Sequence, residues 1–150
     1  MDNVKYTDDK SLINYDEVAE LYESVGFGRA ADYKEDPGYE ATLRQPGTHA
    51  FFALDGENHL VGLLRVFSDD RICTWVAEIC VRPDRQRLGI GSQLMAMLDK
   101  RFGHTAIYVD ALSGSEDFFA KQGIGPAAKL IACSRSRRDA QGAGSAIAAS

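Results

Sequence analysis

Val81-Arg82-Pro83-Asp84-Arg85-Gln86-Arg87-Leu88-Gly89-Ile90-Gly91-Ser92 is the stretch on which the fold turns. Before it, Ile72 to Val81 reads as a strong strand that Pro83 breaks, because proline has no N–H to give a ladder. After it the period turns helical: Ile90, Leu94, Met97 and Leu98 share one face, and Gly103 marks the end. A helix N-terminus leaves about four backbone N–H groups unpaired and carries roughly half a positive charge, so it holds anions where the chain can approach closely. Gly89 and Gly91 permit that approach, and Arg85 and Arg87 add charge from the side. The plainer alternative is a loop that only lets helix pack on strand. It leaves unexplained two glycines that each cost a helix start about 1 kcal/mol against alanine.

Upstream, Val18, Leu21, Tyr22 and Val25 form the stripe of an amphipathic helix over 14–25, opened by Asn14 with Glu17 three places on and stopped by Gly26. Gly26 to Arg29 reads as an aromatic-bearing loop, and a second short helix is expected from Asp36, with Pro37 at its first position, to before Pro46. His49–Leu54 and Leu60–Phe67 read as strands joined by the hairpin turn Asp55-Gly56-Glu57-Asn58. Ala106–Asp110 reads as a strand parallel to the one before the loop, since a crossover helix joins them. Ser115–Gln122 follows as a short helix closed by Gly123, and Ala127–Cys133 as a last strand. The expected organisation is one domain over residues 1–133, then a tail, 134–150, of arginines followed by Ala, Gly and Ser.

With 150 residues, 45% apolar and 26% charged, the composition excludes disordered, collagen-like and coiled-coil chains. Apolar runs are too short to span a bilayer, so no membrane partner is expected, and the first residues show no secretory pattern, which gives a cytoplasmic expectation. A net charge of -5 argues against a nucleic-acid partner. Cys73, Cys80 and Cys133, with His49, His59 and His104, have no metal-ligand spacing, so the thiols read as reduced and no metal is expected.

Three phosphate-loop classes compete. A Walker loop needs Lys after its second glycine, and none follows Gly89 or Gly91. In a Rossmann turn the third glycine would fall at Leu94, and the glycines would follow the strand directly, without the Arg82–Leu88 loop. Gln86-x-x-Gly89-x-Gly91, entered from Ile79-x-Val81-x-Pro83, is similar to the acyl-CoA motif of the GNAT superfamily of N-acyltransferases. Phe118-Phe119-Ala120-Lys121-Gln122-Gly123-Ile124 resembles the family's F-Y-x-K-x-G-F helix and turn, and the likeness covers about residues 4–133. A narrower likeness, in Leu21 to Phe27 and Leu60 to Asp69, is to a bacterial and plastid group that includes plant-type serotonin N-acetyltransferases.

The resemblance implies a mixed α/β sheet, with antiparallel N-terminal strands, a parallel pair splayed around the CoA site and helices on both faces. It implies acetyl-CoA as cosubstrate, with its pyrophosphate and pantetheine on Gln86, Arg87, Leu88, Gly89, Ile90, Gly91 and Ser92, its pantetheine arm paired with the strand at Ile79 and Val81, and Phe119 beside it. The acceptor implied is a primary amine, on a small molecule or an exposed protein site, that attacks directly in a ternary complex.

A primary alkyl amine has a pKa of about 10.4, so a base helps to free it near neutral pH. Glu78 is the first candidate, because alternation puts it opposite Ile79 and Val81; a strand carboxylate paired with Arg65 is the alternative. Asp110 is a weaker one. The family's Tyr, which protonates the leaving thiolate, is matched here by Phe119, which cannot donate a proton. Tyr108, Cys80 or water substitutes, or the thiolate leaves unaided. A backbone N–H near Val81 is expected to hold the developing oxyanion. Phe27, Tyr33 and Tyr39 are candidates for the acceptor pocket or for loop anchors, and Trp75 reads as core. The departure at Phe119 also admits a second reading, an acyl-CoA-binding or regulatory module without turnover. The arginines at 135, 137 and 138 do not continue a sheet, so the last sheet edge is expected to be covered in a homodimer or guarded by these charges in a monomer.

Overall fold

The protein is seen in a computed structural model that describes residues 3–127 and 129–138. The chain falls into two compact units, Met1–Val109 and Asp110–Ser150. The first contains β1 (Lys5–Thr7), α1 (Tyr15–Ser24), α2 (Ala30–Glu35), α3 (Tyr39–Thr42), β2 (Thr48–Leu54), β3 (Leu60–Ser68), β4 (Cys73–Val81), α4 (Ile90–Phe102) and β5 (Ala106–Val109). The second contains α5 (Glu116–Lys121).

The strands form one mixed sheet in the order β1-β2-β3-β4-β5, antiparallel except for the parallel pair β4–β5. Alternation gives the sheet two different faces. On one, Ala50, Phe52, Leu54, Leu63 and Cys80 pack into a core with Val18, Ala19, Leu21 and Tyr22 of α1 and Tyr33 of α2. On the other, Gly62 sits so close under α4 that a Cβ there would lie 3.1 Å from Ile90 Cγ2 and 3.2 Å from Leu94 Cδ1. His49 and Phe51 meet Phe102, the last residue of the same helix.

Local chemistry moves several expected boundaries. Asn14 caps α1 by accepting from Asp16 N–H, but Glu17 accepts from Leu60 N–H at 2.9 Å and so ties the helix to β3 instead of closing a capping box. The expected helix start at Asp36 does not form. The Asp36 carboxylate accepts from Gly38 N–H in a turn, and α3 begins only at Tyr39. α2 occupies a stretch to which the pattern assigned no element. In α4 the fully buried methionine is Met95, while Met97 is half-buried.

The strand expected over Ala127–Cys133 is absent. Ala127 and residues 129–133 are irregular, Ala128 lies outside the described residues, and Leu130 N–H bonds Ala127 C=O in a turn. The described residues of the segment are exposed, Leu130 and Ile131 among them, so it buries none of the apolar side chains that a strand sets against a core. Residues 134–138 are also irregular and exposed, and 139–150, the rest of the expected tail, lie outside the described residues.

Candidate active site

Pairing between β4 and β5 runs from Cys73↔Ala106 to Val76↔Val109 and then stops, although β4 continues to Val81. Just past that point β4 carries an irregularity: Val66 faces Val76, but Arg65 faces Glu78, so Ala77 is the extra residue of a bulge. Beyond the bulge the ladder to β3 is regular. Arg82 N–H bonds Val61 C=O at 2.9 Å, so alternation turns the amides of Glu78 and Cys80 toward β3 and those of Ile79 and Val81 toward the gap that β5 leaves. The Val81 carbonyl accepts from Gln86 Nε2 at 3.0 Å, which fixes the start of the loop.

The loop continues through Arg87, a non-glycine residue at φ +63°, to Gly89 at φ +83°. Gly89 is the N-cap of α4 and gives no side-chain cap, and the first turn has no acidic residue. The first bond of the helix is from Gln93 N–H to Gly89 C=O, so the amides before it lie outside the helical ladder. A Cβ at Gly89 would meet nothing within 4 Å, so the approach to this helix end is open. Leu88 and Arg87 are exposed and Ile90 is buried under the helix. Arg85 Nη2 lies 3.9 Å from Asp55 Oδ2 in the β2–β3 turn, and its Nε lies 3.9 Å from Asp84 Oδ2. These amides and glycines fit a pyrophosphate; Ile79 and Val81 fit an extended arm with amide groups of its own.

Glu78 is held on the face away from α4. Arg65 Nε donates to its Oε1 at 2.7 Å and Arg65 Nη2 to its Oε2 at 2.8 Å, and the Tyr22 hydroxyl donates to Oε1. The Glu78 carboxylate beside it holds the Arg65 guanidinium above its ordinary range, against the opposing effect of burial. Burial first, and Glu78 second, pushes the Tyr22 phenol well up. Tyr33, whose hydroxyl donates to Phe27 C=O, and Tyr39 are also raised, chiefly by burial, and so is the Cys80 thiol. Tyr22, Tyr33 and Tyr39 pack ring to ring with centroids 5.0–6.0 Å apart, and Phe27 lies 6.1 Å from Tyr22. Sequence reasoning missed Tyr22, reading it only as a core position. Its polar role depends on a contact across 56 residues that no local pattern carries.

Tyr108 and Trp75 are cross-strand neighbours on the Glu78 face, stacked at 5.4 Å with an interplanar angle of 15°. Trp75 is not core: it is 41% exposed. Phe67, the next ring across β3, is exposed too and lies under the Arg65 guanidinium. In the second unit Phe119 is buried and meets Phe118 edge to face. Asp110 is exposed.

A profile of the Acetyltransferase (GNAT) family matches residues 15–124, and the chain belongs to that family. The fold is shared with solved structures. A GNAT-family acetyltransferase from Streptococcus pneumoniae TIGR4 is 23% identical, with 90% of this chain and 99% of that one covered and a TM-score of 0.63. Protein SA2161 of meticillin-resistant Staphylococcus aureus is 18% identical over 91% of this chain and 100% of its own, with a TM-score of 0.71. An aminoglycoside acetyltransferase from an uncultured soil metagenomic sample, solved with sisomicin, is 18% identical over 91% and 97%, with a TM-score of 0.66. No curated protein matches the chain. Among the described residues no helix is long and apolar enough to cross a membrane.

Proposed function

We propose that the protein is an acetyl-CoA-dependent N-acetyltransferase acting on a primary amine by direct attack in a ternary complex. The observation that carries this reading is the gap beside Ile79 and Val81, which opens at the end of the β4–β5 pairing and leads to the uncapped start of α4. A strand edge whose Ile79 and Val81 amides face the gap and a helix N-terminus with no side-chain cap from Gly89, in line along one chain segment, suit a ligand with an amide-bearing arm and a pyrophosphate. That is the chemistry of acetyl-CoA.

In such a reaction the amine nitrogen bonds to the acetyl carbonyl carbon, the carbon–sulfur bond breaks, one amine proton goes to a base and the leaving sulfur takes up a proton. Glu78 is the base in this reading, directly or through a water, since it is the carboxylate at the bulge where the strands part. The Val81 amide is directed to the carbonyl oxygen, on which charge develops. Tyr108 is the candidate proton donor, with a phenol on the same face as Glu78. A small amine is the acceptor we favour, as sisomicin, a small polyamine, accompanies the aminoglycoside relative.

Acetyl-CoA at 100 times its dissociation constant should stabilise the native state by about 2.7 kcal/mol and raise the melting temperature, and NAD should not. Stabilisation by NAD and not by CoA would overturn the assignment. Glu78→Gln should keep acetyl-CoA affinity and lower turnover at neutral pH, with a loss that shrinks as rising pH frees the amine. An equal loss at every pH would assign Glu78 to structure. The second reading, an acyl-CoA-binding module without turnover, is favoured by Phe119 in place of a proton donor. Release of free thiol with any amine rejects it.

A further inference from the structure

We infer that Tyr22 and Arg65 are positioning residues for Glu78, and that they leave its carboxylate one outward acceptor direction, on Oε2, for the proton of the attacking amine. An ionised carboxylate has about four lone-pair sites. Oε1 receives both Arg65 Nε and the Tyr22 hydroxyl, and Oε2 receives Arg65 Nη2, so three are taken. The inference rests on Glu78 acting as the base.

The geometry explains why two residues are needed. Arg65 is the cross-strand partner of Glu78 on β3, and its planar fork fixes the carboxylate plane. It cannot also block the remaining site on Oε1. Tyr22 reaches over from α1 to do that, and a phenol in this place donates without adding charge. The other groups facing Glu78 are Tyr33 from α2, Tyr39 from α3 and Cys80 on its own strand. All keep their protons near neutral pH, so none competes as a base. The Tyr22 ring itself is core, packed on Tyr33 and Phe27. Tyr22→Phe therefore removes the hydroxyl and keeps the packing.

The test is a double-mutant cycle on the full chain, read by thiol release from acetyl-CoA with 2-phenylethylamine, spermidine and kanamycin as acceptors. Tyr22→Phe should lower kcat by about 10- to 100-fold, the scale of a misplaced catalytic group, with the KM for acetyl-CoA unchanged. In a Glu78→Gln background the same substitution should add nothing, because the group it positions is gone. Arg65→Lys keeps the charge and loses the fork, and should give the same kcat loss, a second route should Tyr22→Phe misfold. Losses that multiply in the double variant, or an unchanged kcat in both Tyr22→Phe and Arg65→Lys, would overturn the positioning role alone. An unchanged Glu78→Gln enzyme would overturn the base assignment and this inference with it, and so would the absence of thiol release with all three amines.

Discussion

Gly89 and Gly91 have different reasons to be glycine. Gly89 lies at φ +83°, where a Cβ costs roughly 1–2 kcal/mol whatever the room around it, so a substitution there strains the free protein as well as the ligand site. Gly91 is inside the first turn of α4 with helical backbone, which any residue can adopt. Gly91→Val is therefore the cleaner probe of the phosphate site. It should leave a folded protein, by circular dichroism, that no longer binds CoA in calorimetric titration. Unchanged affinity would remove the phosphate-loop reading. At Gly62 the constraint is crowding, with three side-chain atoms within 3.4 Å of the Cβ position. Gly62→Val should cost about 1–3 kcal/mol in urea denaturation, the usual cost of overpacking, because α4 must lift from the sheet. A variant as stable as the parent would show that the helix seat has slack.

At the scale of elements, α4 is fixed at both ends. Its start faces the loop, and at its last turn Arg101 makes two bonds, 2.7 and 3.0 Å, to the Asp70 carboxylate in the β3–β4 turn. His49 of β2 packs against Phe102 at the same end, with ring centroids 4.8 Å apart. Burial, and after it Arg101 and Lys10, holds the His49 imidazole below its ordinary pKa. An unfolded chain with His near pKa 6.5 then binds more protons than the folded one in the window just below that value. Stability should rise with pH through this window and fall on acidification toward pH 5. His49→Leu should flatten that part of the profile, measured as urea midpoints at pH 5, 6 and 7. A slope equal to the parent's would show that other groups carry the acid sensitivity.

For the whole molecule the open question of assembly lies at β5. Among the described residues no strand pairs with its outer edge. An unpaired edge is a template for another chain unless something blunts it. We propose a homodimer that covers this edge. Light scattering should give twice the monomer mass for the full chain, and a monomer at all concentrations would overturn the dimer. A truncation after Ser134 that dimerises unchanged would show that the tail plays no part in assembly.

The sequence by itself determined the strand–loop–helix unit and the position of its glycines, since Pro83, the helical stripe from Ile90 and the hairpin turn at Asp55–Asn58 act over a few residues and depend on local sterics. It also set the face of Glu78: the bulge at Ala77 lies before that residue, so alternation from Glu78 to Val81 is unbroken. Only the tertiary structure decided where β4 and β5 part, because strand separation depends on pairing between distant segments. It alone brought Tyr22 to Glu78, turned Arg85 to Asp55 and left Trp75 exposed on Tyr108. The last strand failed because a strand forms where its apolar side chains pack against a core, and Ala127 and residues 129–133 are exposed.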